Sequence, residues 1–224
     1  MKWTVTISGI LLAGFTQQGQ NGWKELEPIN EKRVRDAYFT LISTAKTIHI
    51  VELATHVGET IRMEDWLMKP FARTAIEEPT GQGARRKALS YMLKDRTYDV
   101  RPVEKSYDIF PRWPGSPFIN GLEPYLAAKR PSYTMSGKVF QGSFDGKPAY
   151  RIQTGPQSIP GSMVSVFVKV SSLIPMGWEY AVNGKGSEIF RYQVFELNGP
   201  MNLKDFEWMP PAGYKLKSDW RKHG

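Results

Sequence analysis

The sequence predicts an α+β protein dominated by an antiparallel sheet, with one helix packed across it. Three observations predict this class. One stretch, about Asn30 to Lys46, repeats its apolar residues on a 3.6-residue period. Most of the remaining chain alternates apolar and polar residues in short runs, the period-2 pattern of strands. Turn signals separate those runs. Asp145-Gly146 and Asn183-Gly184 suit the two positive-φ positions of a type I′ hairpin loop.

At the start, Met1-Lys2 precede an uncharged run from Trp3 to Phe15. A basic residue before a short apolar stretch has the form of a secretory signal, and it falls short of the ~20 apolar residues that a membrane helix needs. Residues 1–20 are therefore expected to be a signal peptide, with the polar Thr16–Gln20 as the processing region. The other reading is an N-terminal strand, because Thr4, Thr6 and Ser8 alternate with Val5 and Ile7. Residues 21–224 are expected to be a single domain. No repeat, low-complexity tract or charged linker divides them.

In the helix, Val34, Tyr38, Leu41, Ile42 and Ala45 share a stripe, and Glu31, Lys32, Arg35 and Asp36 lie opposite, with Asn30 as the expected N-cap. Residues 47–57, 59–70 and 72–78 read as three strands of a meander. In the loop that follows, Gly81-Gln82-Gly83 is a fragment of a dinucleotide fingerprint, but Arg86 stands at the third glycine position and no strand-turn-helix surrounds it. Residues 87–93 and 97–102 read as two more strands. Asp108 to Phe118, rich in Pro and aromatic residues, is expected to wrap the surface, and Gly121 to Lys129 to form a short helix with Pro124 in its first turn.

After Pro131 the pattern returns to strands. Residues 133–144 and 147–155 flank the Asp-Gly turn. Val164, Val166, Val168 and Val170 share a face opposite Ser165, Lys169 and Ser171, and Pro175 reads as a breaker. A second hairpin surrounds Asn183-Gly184. Its last strand alternates Phe190, Tyr192 and Val194 with Arg191 and Gln193, until Asn198-Gly199-Pro200 stops it. A short apolar segment, Phe206 to Trp208, precedes the closing Pro210–Tyr214.

Composition narrows the chemistry. Hydrophobic residues make up 41% and charged residues 23% of 224, enough for a sizeable core. There is no Cys, which removes disulfides, thiolate nucleophiles and zinc-thiolate sites. The three His residues include His49 and His56, whose odd spacing on a strand points them to opposite faces, so no metal site is expected. Glu64-Asp65 and Glu77-Glu78 face apart in the same way and read as solvated charges. No G-x-S-x-G elbow is present. The expectation is no catalytic residue, no cofactor and no enzymatic activity. The net charge of +8 suits either a basic surface that attracts anionic polymers or lipids, or simple solubility. No groove-reading motif accompanies it, so no nucleic-acid partner is expected.

Three segments carry a resemblance. Phe195–Asn198 reads F-x-L-N, Phe206–Tyr214 reads F-x-W-x-P-P-A-G-Y, and Trp66–Arg73 reads W-L-M-K-P-F-A-R. Together they resemble the LolA/LolB-like superfamily, which includes periplasmic lipoprotein carriers, related lipid-binding lipoproteins and sensor domains of envelope-stress sigma-factor regulators. The resemblance implies a curved antiparallel sheet forming an incomplete, half β-barrel with one or two helices across its concave face. It implies a periplasmic or otherwise extracytoplasmic location. It further implies outer-membrane lipoprotein sorting or transport, as a non-enzymatic protein that binds a lipid or lipoprotein acyl chain and touches membranes only peripherally or transiently. The alternative it allows is an envelope sensor that holds a partner protein in the same half-barrel. By parity within their strands, the cavity candidates are Trp66, Met68, Tyr91, Leu93, Val166, Val168, Trp178 and Tyr180. The same side chains would equally serve as plain core.

Overall fold

Residues 22–56, 59–79, 85–111, 138–153, 162–182 and 186–222 are described by a computed structural model. The elements run β1 (Lys24–Glu25), α1 (Pro28–Thr44), β2 (Thr47–His56), β3 (Glu59–Met68), β4 (Phe71–Pro79), β5 (Arg85–Met92), β6 (Arg96–Arg101), β7 (Ser106–Pro111), β8 (Val139–Phe144), β9 (Lys147–Gln153), β10 (Ser162–Lys169), β11 (Pro175–Val182), β12 (Gly186–Leu197) and β13 (Lys215–Asp219). All thirteen strands of the described residues join one open sheet, ordered β1-β8-β9-β10-β11-β12-β2-β3-β4-β5-β6-β7-β13. The C-terminal meander is thus stitched to the N-terminal one through β12 and β2, where Leu197 pairs with Ile48. Every ladder is antiparallel except β7 with β13.

The expected helix is present but starts earlier. Pro28 sits in its first turn, where its missing N–H costs nothing. Glu27 is the N-cap in place of Asn30, and its side chain makes no capping bond. Tyr38 and Ile42 are its buried residues. They join Ile48, Ile50, Leu67, Ala72, Met92, Val139, Ile152, Val166 and Val168 in the main core. That cluster draws on strands from both meanders, so α1 lies where the two halves meet.

The β8–β9 hairpin turns as its sequence dictates: Asp145 and Gly146 have φ of 48° and 74°. The second hairpin pairs Val182 with Gly186, and its Asn183-Gly184 turn lies outside the described residues. The expected signal peptide and the Gly121–Lys129 helix also lie outside them.

Four expectations need correction. Of the expected surface wrap Asp108 to Phe118, the first four residues belong to strand β7, because Pro111 stands at the end of its ladder, where a missing N–H is tolerated, and residues 112–118 lie outside the described residues. Pro175 opens β11 for the same reason. A bulge between Tyr192 and Val194 breaks the alternation of β12, so Val194 is exposed while Phe195 turns to the helix side. The strands β1 and β13 were not anticipated. The short apolar segment Phe206–Trp208 keeps its place beyond β12. It follows a 3-10 turn, Leu203–Asp205, held by a capping box between Asn202 and Asp205.

Backbone packing explains one glycine. A Cβ on Gly177 would stand 2.2 Å from the Phe190 carbonyl oxygen, so only glycine fits beside β12 there. Asn198, at φ 60°, ends β12 and accepts a hydrogen bond from the Lys46 amide at 2.8 Å, which ties the strand to the helix exit.

Candidate functional site

Register assigns side chains to the two faces of the sheet. Ile50 packs under α1, and its partner Asp65 therefore faces the same way. Thr74 pairs with Asp65, Ser90 with Thr74, Asp99 with Ser90, and Asp108 with Asp99. Five consecutive strands thus carry an unbroken polar row on the helix-bearing face. Its members are mostly paired. Thr74 donates to Asp65 at 2.5 Å, Ser90 bonds Asp99, and Arg101 donates to Asp108. Burial pushes the Asp65 carboxyl up to about 6, with the Thr74 bond opposing and the Glu64 charge adding. Burial also raises Asp99, and the Asp108 charge adds to this.

Glu52 lies two residues along β2 from Ile50, on the same face. Its Oε2 accepts a 2.7 Å hydrogen bond from the Trp178 indole, and its Oε1 is buried without a partner. The residue is only 4% exposed. Burial lifts its carboxyl to about 7; the Trp178 bond opposes this and the Asp65 charge reinforces it. Around it the face is apolar. Met63 pairs with Glu52, and Ile76 with Met63. Trp178 stacks on Phe190 at 3.9 Å with their planes 6° apart. Met63, Ile76, Tyr180 and Phe190 are half-buried, and none belongs to the core cluster under α1. A patch of large apolar side chains with a buried acid at its centre therefore continues the sheet face beyond the helix.

The eight anticipated cavity residues do not share this face. Val166, Val168, Trp178 and Tyr180 lie on the helix-bearing side. Trp66, Met68 and Tyr91 lie on the opposite side, since Leu67 and Met92 are the ones beneath α1. Leu93 lies past the end of β5. On that opposite side, His49, Trp66, Arg73, Tyr91 and Tyr98 form a row of their own by register. His49 stacks on Trp66, Arg73 covers both Trp66 and Tyr91, and Trp208 closes over Tyr91, Tyr98 and Tyr107. Phe206 buries itself against Phe71. The C-terminal segment is thus the cover of the far face.

Glu64 and Asp65 do face apart, but neither is a plain solvated charge: Glu64 is half-buried and ion-paired. It meets His49 at 2.9 Å and Arg62 at 2.6 Å. Burial raises its carboxyl, yet those two partners outweigh the effect and hold it below the usual range. Asp65 is 5% exposed and belongs to the polar row. No group of three or more His, Asp or Glu among the described residues is arranged to hold a metal. The side chain of His56 lies outside the described residues.

No family model matches the chain, and no curated protein matches it. Among solved structures, an uncharacterized conserved protein from Thermus thermophilus aligns with TM-score 0.57 at 6% identity, over 84% of this chain and 99% of that one. The MucA/MucB complex of Pseudomonas aeruginosa aligns at TM-score 0.41 and 8% identity, over 80% of this chain and 61% of that chain. LprF from Mycobacterium bovis aligns at TM-score 0.41 and 8% identity, over 80% and 97%. The Thermus protein shows a shared fold.

Proposed function

We propose that this chain is an extracytoplasmic, non-enzymatic binding protein that shelters an acyl chain on the helix-bearing face of a half-barrel. The observation that carries this reading is the apolar patch beyond α1, formed by the half-buried Met63, Ile76, Tyr180 and Phe190 around the buried Trp178. Sheltering a lipid tail there gains about 0.8 kcal/mol per CH₂ before ordering costs. The aromatic side chains supply large rigid area, and Met63 supplies an adaptable contact. The C-terminal motif supports the same reading by resemblance. Residues 1–20 would then direct export, and contact with membranes would be transient.

The test is mass spectrometry of lipid extracted from protein purified natively without detergent. A stoichiometric acylated species is expected. A chain that arrives empty, and stays empty after incubation with phospholipid and with acylated peptide, would sink the proposal. One observation favours a second reading, a regulator that holds a segment of a partner protein: the polar row from Asp65 to Asp108 offers more hydrogen-bonding groups than a hydrocarbon tail uses. Capture of a water-soluble peptide with no lipid bound would favour it.

A further inference from the structure

Building on the acyl-chain reading, we propose that Glu52 anchors the polar end of the ligand, and that this end carries a primary ammonium group. Glu52 combines three properties. It is almost fully buried, one of its oxygens is fixed by Trp178, and the other has no donor. A buried acceptor left unpaired costs the fold on the order of 1–3 kcal/mol, and more when charged. A ligand that donates to it would remove that cost. Asp65 stands beside it on the same face, with one oxygen held by Thr74.

The sign of the ligand follows from the neighbours. Among the described side chains of β2, β3 and β4 on this face, none is basic. The nearest guanidinium along the polar row, Arg101 on β6, is taken by Asp108. An ammonium group brings donors and a positive charge to two clustered acids, and a charge-assisted hydrogen bond is about twice as strong as a neutral one. A neutral head would meet Oε1 with one donor and no charge. An anionic head would be repelled. The rest of the ligand is apolar because Met63, Ile76 and Phe190 surround the acid.

The test is titration calorimetry of the full chain at about pH 8 with decylamine, decanol and decanoate, each below its micelle concentration. These share one tail and differ in head group. Decylamine is expected to bind about tenfold tighter than decanol, and decanoate more weakly than both. The order matters because the chain carries a net charge of +8, which at long range favours decanoate. Glu52→Gln should abolish the preference, so that decylamine binds no more tightly than decanol. Glu52→Asp should keep a preference for the amine. Equal affinities in the unmodified chain, or a preference that survives Glu52→Gln, overturn the proposal. If decanol binds without any preference for the amine, this inference fails and the acyl-chain reading stands. If none of the three binds, both fail.

A measurement without variants tests the same assignment. The preference for decylamine should shrink as pH falls from about 8 to about 5.5, because Glu52 and then Asp65 take up protons. Two strands flank β2. From β12, Tyr192 pairs against Glu52, and Glu188 lies farther along the same face, paired with Tyr180 of β11. From β3, Asp65 is the neighbouring acid. A preference unchanged over that range overturns the assignment to Glu52.

Discussion

Strands β3 to β6 carry two parallel rows, one on each face and one residue out of step. On the far face, Trp66, Arg73, Tyr91 and Tyr98 run side by side, Arg73 lies over Trp66 and Tyr91, and the C-terminal segment lays Trp208 over Tyr91 and Tyr98. On the helix-bearing face, Asp65, Thr74, Ser90 and Asp99 run alongside, and Glu52 leaves one oxygen unpaired. The backbone is common to both. The chain finishes the first row with its own residues, and the second carries a buried charge that works against folding. A closed row of rings serves stability. Incomplete polar satisfaction in a buried place works against stability and is the exception in a folded chain.

The largest effect should come from breaking the closed row. Trp208→Ala removes a ring whose centroid lies 5.2 Å from both Tyr98 and Tyr107, and 6.0 Å from Tyr91. Loss of a half-buried Trp in such a cluster should cost about 3 kcal/mol. Urea unfolding measures it, and decanol binding to the folded variant should be unchanged. A stable variant with lost binding would reverse the roles assigned to the two faces.

Glu52→Gln should move stability the other way. The Glu52 carboxyl is raised from 4.5 to about 7, so the native state prefers it protonated. Below the unfolded value both states are protonated and no penalty exists. The penalty grows as pH rises from about 4.5 to about 7 and is complete above that. Glutamine removes it. The variant should therefore be more stable than the parent at about pH 8, by at most about 3 kcal/mol, with the gain gone near pH 4. Unfolding curves at both pH values decide this. A gain of equal size at both would show that burial of the charge is not its cause.

Arg73→Met tests the far row at its charged member. The guanidinium lies 4.6 Å from the Trp66 ring centroid and 5.6 Å from that of Tyr91, while its Nε is buried without a hydrogen bond. Methionine keeps most of the packing and discards the cation–π term along with the desolvation cost. The expected loss is about 1 kcal/mol. A gain would mean that the unpaired nitrogen outweighs the rings.

The distance between these rows and their traces in the sequence is instructive. The 3.6-residue stripe from Val34 to Ala45 located α1 to within two residues at each end, because a helix buries a face that repeats along the chain. Alternation likewise located β2, β3 and β4. Alternation has no absolute phase, however. It says that Trp66 and Leu67 point apart, but only the helix above says which is inside, and a one-residue error exchanges the faces. Trp66 and Tyr91, large and aromatic, lie on the face opposite α1, where Trp208 covers Tyr91. The polar row leaves no trace along the sequence, because Thr74, Ser90 and Asp99 taken singly have the pattern of ordinary solvent-facing residues. Their alignment exists only across strands. The same holds for β13, a strand of sequence KLKSD that gains its identity from β7. The bulge at Gln193 shifted the phase of β12 without any Gly or Pro to announce it.

The smallest expected effect lies at the outer end of the aromatic row, where Glu196 approaches the His49 Nδ1 at 3.9 Å with its side chain 54% exposed. Exposed ion pairs are worth about 0–1 kcal/mol, and this one needs a protonated imidazole to exist at all. The other imidazole nitrogen is already engaged by Glu64 at 2.9 Å, which fixes the ring against Trp66 without help from Glu196. Glu196→Gln should therefore change stability by less than about 0.5 kcal/mol at neutral pH. Glu64→Gln, by contrast, loosens the His49 ring and also frees Arg62, so it should cost more. If the Glu196 variant proved the more damaging of the two, the row would be anchored from β12 and not from β3, and the far face would depend on the stitch between the two meanders.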